Sequence, residues 1–225
     1  MIKSIVQKLI SKTGKSYTID KDIPVGLIYN TLFNRFVMVA RGFLYLQKKV
    51  FVGKHCTFLN KSNIAFGKNV TIEKYTRLDG YAKEKIELGN NVKIGAYSNL
   101  LSTSHFSKYG KGLKIGNNSA FGSFTEFGAA GGIEIGDNVI AGSYISFHSE
   151  NHNYTDTSKL IREQGVTSKG IKIGNNVWIG AKVTFLDGSF VDDNSVVAAG
   201  AVVNGIYPKN SIIGGIPAKV IKSIV

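Results

Sequence analysis

Residues Phe147–Asp156 read FHSENHNYTD and place two of the chain's four histidines, His148 and His152, in one short polar stretch with Glu150, Asn151 and Tyr154. A neutral imidazole, with an ordinary pKa of about 6.5, can take a proton from an alcohol near neutral pH. Imidazole nitrogens are also zinc ligands, and His105, in STSHFSKYGKG, would supply a third. An ordinary surface loop of the same polarity is the remaining reading. Either histidine could be the base. Glu150 could orient an imidazole or stand in solvent, and Asn151 and Tyr154 suit the lining of a polar acceptor pocket.

These residues interrupt a repetitive scaffold. Ile173, Ile179, Phe185, Val191, Val197 and Val203 recur at every sixth position, as do Ile115, Phe121 and Phe127, and Leu88, Ile94 and Leu100. That period is neither helical nor the alternation of a half-buried strand. Short strands joined by tight corners explain it, each sending one apolar side chain into a shared core. Corner signatures of the type G-N-N at Gly67, Gly89, Gly116, Gly136 and Gly174, continued by Asp192, count the coils. The last two lie 18 residues apart, three hexapeptides, which defines a three-sided prism. Longer separations mark insertions, and insertions in solenoids emerge as loops.

The largest insertion, 20 residues, lies between Gly136 and Gly174. Counting inward positions from Ile135 through Ala141 to Phe147, the chain leaves the prism just after Phe147 and returns at Ile171 or Ile173. His148 then belongs to the wall, flanked by Gly128 and Leu186, and His152 to the departing loop. The expected fold is an all-β solenoid over 50–225, a left-handed parallel β-helix of about seven coils and about 35 Å in length. It carries an extended loop over about 148–172 and a short C-terminal helix over about 217–225.

Residues 1–49 have a different period. Ile2, Ile5, Val6, Leu9 and Ile10 share one helical face, and Val25, Ile28, Tyr29, Leu32, Phe36, Val39, Ala40 and Phe43 share another. Pro24 suits a helix first turn. The simplest reading packs both apolar faces on the prism, and the alternative lays them on a membrane surface. The net charge is +13, more than half of it in the first 50 residues. A basic arm of this kind suits a solvated surface, an anionic membrane or a phosphorylated substrate, and the absence of any nucleic-acid-reading motif argues against nucleic acid. Hydrophobic residues make up 43% and charged residues 19%, which fits a globular chain rather than a disordered one. The single cysteine, Cys56, excludes an internal disulfide and a cysteine-rich zinc cluster. Neither a signal peptide nor a spanning segment is legible. The expectation is a cytoplasmic protein, with peripheral contact at the inner face of the cell membrane as its extension.

The segment IKIGNNVWIGAKVTFLDGSFVDDNSVVAAGAVV, followed by SIIGGIPAKVIKSI, resembles the C-terminal half of the hexapeptide-repeat acyltransferases that include galactoside, maltose and xenobiotic acetyltransferases. HSENHNY, a loop, NNVWIGAKV and IPAKVI together are especially similar to O-acetyltransferases of bacterial surface-polysaccharide synthesis. The resemblance implies a homotrimer with sites between neighbouring prisms, acetyl-CoA as co-substrate, a carbohydrate acceptor and no metal. It assigns His152 as general base. It gives Ala181, after Trp178 and Gly180, a backbone contact to pantetheine or the oxyanion, and runs the pantetheine arm past Ala199 and Gly200. It sets Lys219 and Lys222 near nucleotide phosphates. Asn204-Gly205 departs from the Thr-Lys common in relatives and removes a cation from the nucleotide's surroundings. Two other classes compete: a zinc enzyme like the γ-class carbonic anhydrases, using His105, His148 and His152, and a non-catalytic solenoid used for assembly.

Overall fold

The computed structural model describes residues 3, 6–8, 18–103 and 105–224. From Phe51 onward the chain winds into three sheets of parallel strands, each strand pairing with its counterparts one coil before and after. The first face runs from Phe51–Val52 through Ile140–Ala141 and Trp178–Ile179 to Ser211–Gly215. The second runs from Thr57–Leu59 through Glu126–Gly128, Ser146–His148 and Thr184–Leu186 to Val202–Val203. The third runs from Ile64–Phe66 through Ile133–Ile135 and Ile171–Ile173 to Ile206–Tyr207.

Every residue of the period-six series is buried. Phe127, Phe147 and Phe185 stack face to face down the axis at 5.3 and 4.9 Å between ring centroids, with Phe121 edge-on to Phe127. Register agrees with coil counting: His148 lies between Gly128 and Leu186 on the second face.

Each corner has its own chemistry. Between the third and first faces, Asn69, Asn91, Asn118, Asn138, Asn176, Asn194 and Asn210 all take left-handed backbone angles, which asparagine tolerates better than most residues. Their amides bond coil to coil: Asn69 donates to Asn91, Asn91 to Asn118, Asn118 to Asn138 and Asn176 to Asn194. Between the first and second faces the left-handed positions are His55, Tyr75, Tyr97, Phe124, Tyr144, Lys182 and Gly200. The five rings stack in one exposed column, with centroids 4.8–5.0 Å apart. The insertions leave at the corner between the second and third faces.

The outward side of the third face is ionic. Lys114 pairs with Glu84 and Glu87, and Lys172 with Glu134. These exposed pairs each contribute little to stability.

Helix α1 spans Val25–Leu46. Pro24 is its N-cap, one position ahead of the expected first turn. Its apolar face does not pack on the prism. Ile28 is buried, but Val25, Tyr29, Leu32, Phe36 and Phe43 are exposed. The helix meets the first strand through its other side, where Gly42 lets the chain cross Val50 so closely that a Cβ would lie 1.9 Å from the Val50 carbonyl oxygen. Of the expected preceding helix, residues 3 and 6–8 are helical; Ile2, Ile5, Leu9 and Ile10 lie outside the described residues. Among the described residues no helix is long and apolar enough to cross a membrane.

The expected C-terminal helix is instead a strand. Ala218–Ser223 turns back and pairs antiparallel with Ser211–Gly215. The β-branched run Val220-Ile221 suits a strand. The hydrogen-bonding edge of the last coil would otherwise be left open, and the returning strand covers it.

Candidate active site

The insertion after His148 folds as a braced hairpin. Asn151–His152 pairs antiparallel with Val166–Thr167. Asn153 ties its base: its amide donates to the Gln164 carbonyl, and its Oδ1 accepts from the Thr167 hydroxyl at 2.6 Å. Gln164 braces the tip by accepting from the Asp156 N–H and donating to the Asp156 and Lys159 carbonyls. At the tip, bonds from Ser158 and Lys159 hold the Asp156 carboxyl below its ordinary range. A loop bonded in this way presents a side chain at a defined place, as a site requires.

His152 is exposed beside a polar cavity of about 230 Å³, lined also by Asn151, Tyr154, Thr167, Lys169 and Asp187. Among the described residues no side-chain hydrogen bond occupies its ring. His148 is exposed on the second face, between Gly128 and Leu186. Gly128 has a packing reason to be glycine, since a Cβ there would lie 2.8 Å from the Phe147 carbonyl oxygen.

Glu150 is neither freely solvated nor bonded to an imidazole. It accepts from the Ser168 hydroxyl at 3.2 Å and pairs with Lys108 at 3.5 Å, tying the His105 insertion to the His152 insertion. His105 is turned to its own loop, where its Nδ1 accepts from the Ser107 N–H. The three histidines of the zinc reading do not converge: among the described residues no group of three His, Cys, Asp or Glu side chains is placed to hold a metal ion.

Asp187 is a site residue that sequence reasoning missed. It is buried, lies against the cavity, and accepts from the Lys169 and Gly170 N–H groups at 2.7 and 2.8 Å. It therefore fixes where the insertion rejoins the prism. The Asp187-Gly188 dipeptide signals a turn, but nothing local says that its carboxylate catches a segment 17 residues earlier. Ser149 does similar work at the exit, donating to the Gly128 carbonyl and accepting from the Gly131 N–H.

The residues expected on the coenzyme side gather elsewhere. Gly180, Ala181, Ala199 and Gly200 occupy successive coils at the corner between the first and second faces, with Ala181 and both Ala199 and Gly200 exposed. Gly180 has a packing reason to be glycine, since a Cβ there would lie 2.5 Å from the Ala199 nitrogen. Trp178 projects outward from the adjoining first face and is 61% exposed, outside the core. Lys219 and Lys222 are exposed on the returning strand at the edge of that face, not on a helix. Asn204 is exposed near the end of the second face.

The two halves thus stand at opposite edges of the second face. From Ala181 to Asp187 the chain crosses that face, a span of at most about 20 Å. An extended co-substrate can run along such a face, and two prisms packed side by side can bring one edge against the other.

The bacterial transferase hexapeptide family (six repeats) matches residues 170–205. The probable acetyltransferase Rv3034c of Mycobacterium tuberculosis is 28% identical over 165 residues, 73% of this chain and 51% of the relative. The putative lipopolysaccharide biosynthesis O-acetyl transferase WbbJ of Escherichia coli K12 is 26% identical over 174 residues, 74% of this chain and 75% of that one. The solved hexapeptide-repeat acetyltransferase VCA0836 of Vibrio cholerae, complexed with acetyl-CoA, superposes with a TM-score of 0.53 at 27% identity, covering 61% of this chain and 70% of that one. The chain spans about half the length of the mycobacterial relative. Its residues 170–205 are thus similar to the hexapeptide repeats of bacterial transferases, and its prism is the left-handed parallel β-helix. Both of these relatives carry acetyltransferase names, one of them a putative enzyme of lipopolysaccharide biosynthesis.

Proposed function

We propose that the chain moves an acetyl group from acetyl-CoA to a sugar hydroxyl during surface-polysaccharide synthesis, with His152 as general base. The observation that carries this reading is the placement of His152: a ring with no side-chain hydrogen bond among the described residues, on a braced hairpin, beside a polar cavity. The likeness to acetyltransferases, WbbJ included, supports the reaction and the acceptor class.

In this reading the His152 imidazole removes the hydroxyl proton as the acceptor oxygen attacks the thioester carbonyl. The tetrahedral intermediate places its negative charge on the former carbonyl oxygen, where a backbone N–H can donate. It collapses with cleavage of the C–S bond, and the CoA sulfur leaves with the proton held by the imidazolium. The polar side chains of Asn151, Tyr154 and Lys169 suit a hydroxyl-rich acceptor. The small residues Gly180, Ala181, Ala199 and Gly200 leave exposed backbone for a pantetheine arm, and Lys219 and Lys222 offer charge to phosphates. Because these groups and His152 stand at opposite edges of one face, a trimer that pairs edges of neighbouring prisms completes the site most directly.

The test is thiol release from acetyl-CoA against a panel of glycans. Wild type and His148→Ala should turn over while His152→Ala does not, and the mass in solution should be that of three chains. Undiminished turnover by His152→Ala removes the general-base assignment.

A further inference from the structure

Helix α1 is amphipathic in the reverse of the usual sense. A helix on a globular surface turns its apolar stripe inward. Here Tyr29, Phe33, Phe36 and Leu44 face out, with Phe33 66%, Phe36 72% and Leu44 78% exposed. Its polar side faces the prism and roofs a cleft of about 630 Å³. Arg35, Arg41, Lys54, Lys74 and Lys93 line that cleft, with Glu73 as its single acidic residue. Among the described residues Glu73 pairs only with Lys93, at 3.4 Å. Arg35 is held in place by its bond to the Thr71 hydroxyl and by the Phe51 ring beneath it. Lys48 and Lys49 follow the helix after its C-cap, Gln47.

We propose that α1 is a membrane-docking element: its outward stripe enters the interfacial layer of an anionic bilayer, and the cations beside and beneath it hold lipid phosphates. This goes beyond the acetyl-transfer reading and stands without it. An apolar face immersed about 5–10 Å brings the flanks of a helix about 10–12 Å wide to headgroup depth. Charge complementarity selects this occupant over a second copy of the chain. A symmetric pairing through α1 would bring two cationic clefts together, whereas anionic lipid attracts each cation by about 1 kcal/mol.

The experiment is co-sedimentation of the full chain with phosphatidylcholine vesicles, with and without phosphatidylglycerol, at low and high salt. Binding should require phosphatidylglycerol and weaken as salt rises. Phe33→Ser with Phe36→Ser should weaken it at least roughly tenfold, because each phenyl ring loses its apolar transfer. Lys54→Ser with Lys74→Ser should weaken it and flatten the salt dependence. Both variants should keep the wild-type melting temperature, since none of the four side chains is buried. Failure of the wild type to bind anionic vesicles overturns the proposal, as does binding untouched by the phenylalanine pair. So does an oligomer that this pair dissociates, which would make the stripe a contact between copies.

Discussion

The asparagine corner and the insertion corner are made by the same coils, yet one repeats and the other does not. At the first, a left-handed asparagine recurs from Asn69 to Asn210, with side-chain bonds linking Asn69 through Asn138 and Asn176 to Asn194. At the second, the chain departs after Leu101 and after His148, and what leaves is polar and carries His105 and His152. A corner that satisfies its polar groups by stacking fixes the coil period. A corner released from that duty can carry loops, and Ser149 and Asp187 then close the exit and the return. The repeat supplies rigidity, and the departures supply chemistry.

Substitutions at the two corners should separate those roles. The largest effect belongs to His152→Ala, which should lower acetyl transfer by roughly 10²–10⁴-fold with an unchanged melting temperature. Asp187→Ala comes next. It strands the Lys169 and Gly170 N–H groups, should cost about 1–3 kcal/mol locally, and should expose Lys159 and Arg162 to faster tryptic cleavage while slowing transfer less than loss of His152. Asn118→Ala, at the repeating corner, should cost about 1–2 kcal/mol in denaturant unfolding, from a left-handed alanine and two lost ladder bonds, and leave turnover per folded molecule intact. If Asn118→Ala slows turnover of folded enzyme as much as Asp187→Ala, the division of labour between corners is wrong. The smallest effect concerns Cys56. Burial raises its thiol pKa, and its Sγ–H donates to the Glu73 carbonyl at 3.1 Å. It should label more slowly than a free thiol at neutral pH and gain reactivity only as the pH passes the ordinary thiol range, so it should not disturb a thiol-release assay.

The prism was legible because its signal is local and repeated. Ile173, Ile179 and Phe185 point inward for the same reason in every coil, and the gap between Gly136 and Gly174 had no other place to go. Orientation was not legible. The period of α1 identified a stripe through Tyr29 and Phe36, but periodicity does not say which side of a helix meets the body, and the stripe faces out. The last residues misled because a short run such as Val220-Ile221 fits a helix turn or a strand, and the open edge at Ser211–Gly215 decided between them. Asp187 was invisible because its partners reach it only after the insertion closes. Likewise, no spacing could show that His152 and Ala181 stand at different edges of one face.

The exposed column of rings from His55 to Tyr144 has a spectroscopic consequence. Aromatic groups held nearly parallel at 4.8–5.0 Å couple electronically. Their near-ultraviolet dichroism should therefore exceed that of isolated tyrosines and fade as soon as adjacent turns slip. The molecule carries its own optical gauge of turn-to-turn alignment, readable without a label.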